Sequence, residues 1–230
     1  MKEAFSEFEK PSVAVDAVIL RVKDIAERDS KHLVPKMVQV LLVRKQGNEK
    51  WQLPGTIVRL GETSIDAIGR KLGAGVIENG TFEQLYTVDN NIDRDERGHV
   101  ISIVYLDMLK PDSDLEGLTL EGYEAQWFWV SRDRYFMNVE SQELLNDLAY
   151  DHKSIISDAV DRIKGKLLYT DIGFNFVGET FTVRELEDTF EALNEYKIPG
   201  FRRLISNKII GTGEMSRGNA FRPAEVYRKA

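Results

Sequence analysis

The chain has 230 residues, 42% of them hydrophobic and 30% charged, enough apolar content to bury a core and too much for a disordered chain. There is no cysteine, which excludes disulfides, thiolate catalysis and Cys–zinc sites and suits a reducing cytoplasm. The net charge is −7, but residues 196–230 carry eight basic against two acidic side chains, a net of +6, so the remainder holds −13.

In chain order, MKEAFSEFEK has acidic residues and no apolar segment of the signal-peptide kind, and no later apolar run approaches the ~20 residues of a membrane span. Val13–Val22 and Val38–Arg44 are apolar, β-branched runs of strand length, separated by a charged turn-like segment. Asp16, inside the first, is expected at a half-exposed strand position. Trp51–Val76 (WQLPGTIVRLGETSIDAIGRKLGAGV) reads as a strand end at Trp51–Leu53, a Pro54–Gly55 turn, a short strand Thr56–Leu60, a Gly61 corner and a helix. Thr63 or Ser64 would cap that helix, and Ile65, Ile68 and Leu72 are its apolar positions.

This stretch resembles the Nudix box, the strand–loop–helix of diphosphate hydrolases, with Gly55, Glu62, Arg70 and Leu72 as what remains of it. Glu62 takes the place of the first glutamate, and Arg70 and Leu72 those of the arginine and the aliphatic residue. Thr56 stands where the first glycine belongs, Lys71 replaces the glutamate after the arginine, and Ala74 and Gly75 replace the glutamate pair. Mg²⁺ is a hard ion held by carboxylate and phosphate oxygens, and the helix face that should offer carboxylates offers an ammonium, a methyl and a hydrogen. Glu62 and Arg70 would remain as a structural ion pair. The expectation is a Nudix fold without catalytic residues, metal or other cofactor; Mg²⁺ enters only under a hydrolase alternative.

Beyond the box, Thr81–Val88, His99–Leu109 and Ala125–Val130 read as strands, the last with Trp127 and Trp129 alternating with Phe128; core packing is the commoner use of such a set, stacking on a base or ribose the rarer. Ser141–Tyr150 is expected to be helical, with Leu144, Leu145 and Leu148 inward. The run 148–167 carries Ile155, Ile156, Ala159, Val160, Ile163 and Leu167 at helical spacing, and His152 before it reads as a hydrogen-bonded junction residue rather than a ligand.

Thr182-Val183-Arg184-Glu185 is a capping box opening a helix whose buried face is Leu186, Phe190 and Leu193. After a turn at Asn194–Ile198, Pro199 is placed at the first position of the next helix. That helix turns Phe201, Leu204 and Ile205 inward and leaves Arg202, Arg203, Ser206 and Asn207 outside. Strands Ile209–Thr212 and Phe221–Tyr227 flank a turn carrying Arg217. Helix, turn, helix and basic hairpin form the plan of a winged helix-turn-helix, in which a helix enters the major groove and the wing reaches the adjacent backbone.

Taken together, Glu83–Leu106, Leu148–His152, Arg162–Thr170, Phe181–Leu193, Gly200–Ile205 and Arg222–Arg228 resemble the Nudix-related transcriptional regulators of the NrtR type, over nearly the whole chain. The resemblance implies an α+β fold: a Nudix α/β/α sandwich with a mixed sheet over residues 1–150, and a small winged helix-turn-helix over 151–230. It implies a cytoplasmic, dimeric bacterial repressor of NAD-related or sugar metabolism, released from double-stranded operator DNA by a nucleotide such as ADP-ribose. DNA would meet Thr182, Arg184, Arg202, Arg203, Ser206, Asn207, Arg217 and Arg222. A metal-free pocket would neutralise a diphosphate with residues drawn from Arg44, Arg59, Lys71, Arg94 and Arg97. Two alternatives stay open: a hydrolase with metal ligands drawn from Glu62, Asp66, Glu78 and the 93–96 loop, and a C-terminal protein-interaction module.

Overall fold

A computed structural model of the chain describes residues 9–25, 36–73, 81–113, 118, 122–216 and 223–230. Arg217, Arg222, Ala74, Gly75 and Glu78, singled out above, lie outside the described residues.

The first 150 residues build one mixed sheet of β1 (Ser12–Asp24), β2 (Lys36–Lys45), β3 (Gly55–Ile57), β4 (Thr81–Val88), β5 (Val100–Met108), β6 (Tyr123–Val130), β7 (Phe136–Asn138) and β8 (Leu144–Leu145). The order is β4-β5-β1-β2-β6-β7-β8, with β3 beside β1. Among the described residues only β1 and β5 pair in parallel, Val15 opposite Ile103; the other pairs of this sheet are antiparallel. Both faces of the central strands are covered, which is why β1 and β2 read as continuous apolar runs rather than alternating ones. Val15, Ala17, Ile19 and Leu41 pack with Ala67, Ile68 and Leu72 of helix α1 (Ser64–Leu72). Val18, Leu20, Leu42 and Phe128 pack on the opposite face with Ile155, Ile156, Ala159 and Ile163 of helix α2 (His152–Lys166).

The second cluster continues into the C-terminal part. A 3₁₀ turn (Ile172–Phe176), β9 (Thr180–Thr182), α3 (Val183–Asn194), α4 (Phe201–Ile205), β10 (Ile209–Met215) and β11 (Glu225–Lys229) follow α2. Phe190 is the hub: its ring meets Phe174 at 5.8 Å and Phe201 at 5.2 Å, both edge-on. The three strands order as β10-β11-β9.

Several expectations are corrected. Ser141–Tyr150 is not a helix: Asn138 Oδ1 accepts the amides of Glu140 and Ser141 at 2.9 and 2.8 Å, and Gln142 and Tyr150 take positive φ, so the segment turns and yields only the two-residue β8. The strand expected at Thr56–Leu60 is the shorter β3, and Trp51–Leu53 contributes a single bridge, Gln52 to Val43. Pro199 is not the first helical residue; Gly200 caps α4 at φ 71°, where a side chain would be strained, and the helix starts at Phe201. β9 escapes the sequence because three residues give no period, and the strand expected from Phe221 is described only from Glu225. The tryptophan expectation resolves to packing: Phe128 meets Trp51 edge-on at 4.9 Å, Trp129 is buried, and the Arg21 guanidinium lies 3.8 Å from the centroid of Trp127.

Candidate functional site: a cationic cleft and a basic helix joined by one helix

The box folds as its residues dictate. Thr63 caps α1: its hydroxyl accepts the Asp66 amide at 3.1 Å, and the Asp66 carboxylate takes the Thr63 amide at 2.9 Å, a reciprocal box unpredicted above. Glu62 accepts two bonds from Arg70, at 2.7 and 3.0 Å, and the Arg59 amide at 3.0 Å. Those hydrogen bonds, the Arg70 guanidinium first, hold the Glu62 carboxyl down at about pH 2. The expected structural ion pair is present.

Against the box lies a cleft of about 430 Å³ whose wall includes Lys71, Arg94 and Arg97, three of the five expected ligand cations. Arg44 and Arg59 are not in it: Arg44 pairs with Glu124 at 2.6 Å with its guanidinium over Trp51, and Arg59 is exposed beyond the rim. Lys45, Tyr123 and Tyr150 also line the cleft, beside the carboxylates Asp16, Asp95 and Glu96; the first three carry no signal in the sequence, where they are strand ends and loop aromatics. The Lys71 ammonium sits 3.4 Å from the centroid of the Tyr123 ring. Burial lowers its pKa, and the charges of Arg70 and Lys45 lower it further. Arg97 forks onto Asp95 at 2.6 and 2.9 Å, which holds the Asp95 carboxyl near pH 2.

Behind the cleft is a buried polar cluster. Asp16, expected to be half-exposed, is instead buried among Ser102, Arg94 and His152, because the mixed sheet covers both faces of β1. Its Oδ2 accepts the Ser102 hydroxyl at 2.5 Å and lies 3.6 Å from Arg94. Gly55 is required here: a Cβ would stand 2.1 Å from Asp16 Oδ1. Arg94 donates to Asp151, the residue preceding α2, at 2.6 Å. His152 Nδ1 accepts the Leu53 amide at 2.8 Å, leaving the proton of the neutral ring on Nε2, 3.8 Å from Asp16. Burial pushes the His152 pKa down, against the pull of Asp16. His152 is thus the hydrogen-bonded junction residue expected.

The carboxylates near the box do not suit a metal. Glu62 is taken by Arg70, Asp66 by the cap and Asp95 by Arg97, and among the described residues no three His, Asp or Glu converge on a point. Among the described residues, the donor set does not fit the Mg²⁺ that an active Nudix box holds.

Farther along α2, Asp161 accepts Arg134 at 2.6 Å and Lys164 donates to Glu195 at 2.7 Å. Arg134 also pairs with Glu195. Glu195 ends α3 in the left-handed region at φ 64°, and Arg134, in the turn between β6 and β7, has φ 59°. Arg134 and Glu195 edge a second cavity of about 450 Å³ between the sheet and α3.

In the C-terminal unit Thr182 caps α3 as expected, with Glu185 reaching back. The Thr182 hydroxyl is engaged in that cap, and Arg184 pairs with Asp188 at 2.6 Å. Arg202, Arg203, Ser206 and Asn207 are exposed at α4, and the two arginines have no acidic partner among the described residues; the Ser206 hydroxyl donates to the Arg203 carbonyl at 3.0 Å. Lys208 and Lys229 both reach Asp171, at 3.2 and 3.0 Å, and brace the hairpin against the body.

Residues 173–228 match the model of the NrtR DNA-binding winged helix domain. The ADPR responsive transcriptional repressor NtrR of Acinetobacter baylyi is 26% identical over 234 residues, covering 98% of this chain and 84% of that protein. The ADP-ribose pyrophosphatase of Methanocaldococcus jannaschii is 31% identical over 153 residues, 64% of this chain and 72% of that protein. In fold, the chain resembles Shewanella oneidensis NrtR, solved with a 27mer DNA, at a TM-score of 0.66 and 24% identity over 95% of this chain and 93% of that one. No helix among the described residues is long and apolar enough to cross a membrane.

Proposed function

For a chain that belongs to the Nudix-related transcriptional regulators of the NrtR type, we propose the role of a cytoplasmic, homodimeric repressor that binds operator DNA through residues 151–230 and is released when ADP-ribose enters the cleft of residues 1–150. The observation that carries this reading is the winged-helix match over 173–228 with Arg202 and Arg203 exposed on α4, without an acidic partner among the described residues. Arginines so presented neutralise phosphates or fork onto guanine edges. Lys71, Arg94 and Arg97 meet the diphosphate, and Tyr123 and Tyr150 offer ring faces to the adenosine or ribose.

The coupling runs through α2. Its head, Asp151, holds Arg94 of the cleft; about 15 Å further along, Asp161 and Lys164 hold Arg134 and Glu195 at the end of α3. A diphosphate that draws Arg94 away from Asp151 changes the seat of α2, and with it the spacing of the two recognition helices in the dimer. By linkage, the ligand releases DNA only to the extent that it prefers the non-binding geometry.

Hydrolysis is not part of this reading, because the box carboxylates are engaged or replaced. The likeness to the Methanocaldococcus jannaschii pyrophosphatase favours a hydrolase as the second reading. Incubation with ADP-ribose and Mg²⁺ or Mn²⁺ separates them: AMP formed above background would establish the hydrolase. The regulator is tested by fluorescence anisotropy on promoter DNA from upstream of the chain's own operon. Salt-sensitive binding is expected; its absence at low salt removes the regulator reading.

A further inference from the structure

We propose that Lys71 takes the place of the metal ion: the cleft binds the diphosphate of its ligand without a divalent cation, with the Lys71 ammonium as the central counter-charge. This rests on the reading of the cleft as the ADP-ribose site and names how that site recognises a diphosphate.

Three observations carry it. The first is position. In the frame fixed by Glu62 and Arg70, Lys71 occupies the place of a box glutamate, and its side chain lines the cleft. The second is how the side chain is held. The Tyr123 ring supports the ammonium at 3.4 Å, Lys45 and Arg97 stand in the same wall, and no carboxylate pairs with Lys71 among the described residues. An ammonium already half out of water and short of counter-charge loses little hydration when a phosphate oxygen arrives, and its three donors can bridge oxygens of both phosphates. The third is the state of the neighbouring carboxylates: Glu62, Asp66 and Asp95 are held in the Arg70 fork, the α1 cap and the Arg97 fork, and among the described residues no three carboxylates or histidines, Glu96 of the cleft included, gather to hold a metal. One substitution and three engaged carboxylates turn a cation-binding box into an anion-binding one.

This inverts the effect of Mg²⁺. In a metal-dependent box Mg²⁺ raises affinity; here it sheathes the diphosphate in water and charge that Lys71 must displace, so it leaves affinity unchanged or lowers it.

The test is calorimetric titration of ADP-ribose into the full-length chain, in EDTA and then in millimolar Mg²⁺, for wild type, Lys71→Ala, Lys71→Arg and Lys71→Glu, each with a thermal melt to confirm folding. Expected are full wild-type affinity in EDTA, a loss of about ten- to a hundredfold in Lys71→Ala, and retention within a few-fold in Lys71→Arg. Lys71→Glu restores the box glutamate; it is expected to lose binding in EDTA and recover part of it in Mg²⁺. Wild-type binding that requires Mg²⁺, or Lys71→Ala binding as tightly as wild type, overturns the lysine assignment while leaving ADP-ribose in the cleft. No binding by folded wild type in either buffer overturns both.

Discussion

The chain carries two cationic surfaces, and they are built in opposite ways. In the cleft, Arg94 is buried between Asp16 and Asp151, Arg97 is forked onto Asp95, and Lys71 rests on Tyr123. On α4, Arg202 and Arg203 stand in solvent on a five-residue helix. A cation braced by its neighbours suits a small ligand, because the cost of ordering it is met in folding. A free, hydrated cation suits a polyanion, where affinity comes from counterion release and sliding register matters more than fit. DNA binding should therefore fall steeply with salt and ADP-ribose binding only gently.

The comparison breaks first at its DNA end. Arg202→Ala with Arg203→Ala is expected to lower DNA affinity by about a hundredfold and to reduce the salt slope by about two, one per lost phosphate contact. Anisotropy titrations at several salt concentrations check this. ADP-ribose affinity in the same variant should not move.

In the body between the two surfaces, pH acts on two buried groups with opposite sign. Asp107 is buried, and burial pushes its pKa up to about 7 against the pull of the Met108 and Thr81 backbone amides. The folded chain therefore holds a proton that the unfolded chain releases near its ordinary 3.8, and stability declines as pH rises from there through about 7. The full cost is about 4 kcal/mol. The His152 pKa is lowered instead, so the unfolded chain takes the extra proton and stability falls as pH drops below about 6.5. Urea unfolding across pH should show the alkaline decline flattened in Asp107→Asn and the acid decline flattened in His152→Gln.

Arg134→Ala tests the link itself. It removes a partner from both Glu195 and Asp161, and the expected result is that ADP-ribose still binds while its effect on DNA affinity shrinks several-fold, the loss of about 1 kcal/mol of coupling. The smallest effect sharpens the C-terminal end. Thr182→Ala removes the α3 cap and should cost about 1 kcal/mol of stability. An equal loss of DNA affinity in a folded protein would move Thr182 from the cap to the interface.

The sequence carried local chemistry well and long-range chemistry poorly, and the residues show why. Glu62 and Arg70, Thr182 and Glu185, and the buried face Leu186, Phe190 and Leu193 lie within one or two turns of their partners, so spacing alone predicts their contacts. Asp16, Arg94 and Asp151 are separated by whole elements, and nothing near Asp16 betrays that a parallel β1–β5 pair will bury it beside Ser102. The loop 89–98 looked like solvent and contains Arg94, the most buried cation of the cleft. The segment 141–150 carried helical leucine spacing, yet the Asn138 side chain captured two of its amides first. Lys45 and Tyr123 sit opposite each other at the ends of β2 and β6, a register no single strand reveals.

The most direct measurement is anisotropy of labelled promoter DNA bound to the wild-type chain, titrated with ADP-ribose at one fixed salt concentration. The account predicts that ADP-ribose lowers DNA affinity in a saturable way, with a midpoint matching its calorimetric affinity for the cleft. DNA binding unchanged at saturating ADP-ribose would contradict it, because the cleft and α4 would then be two sites without a link.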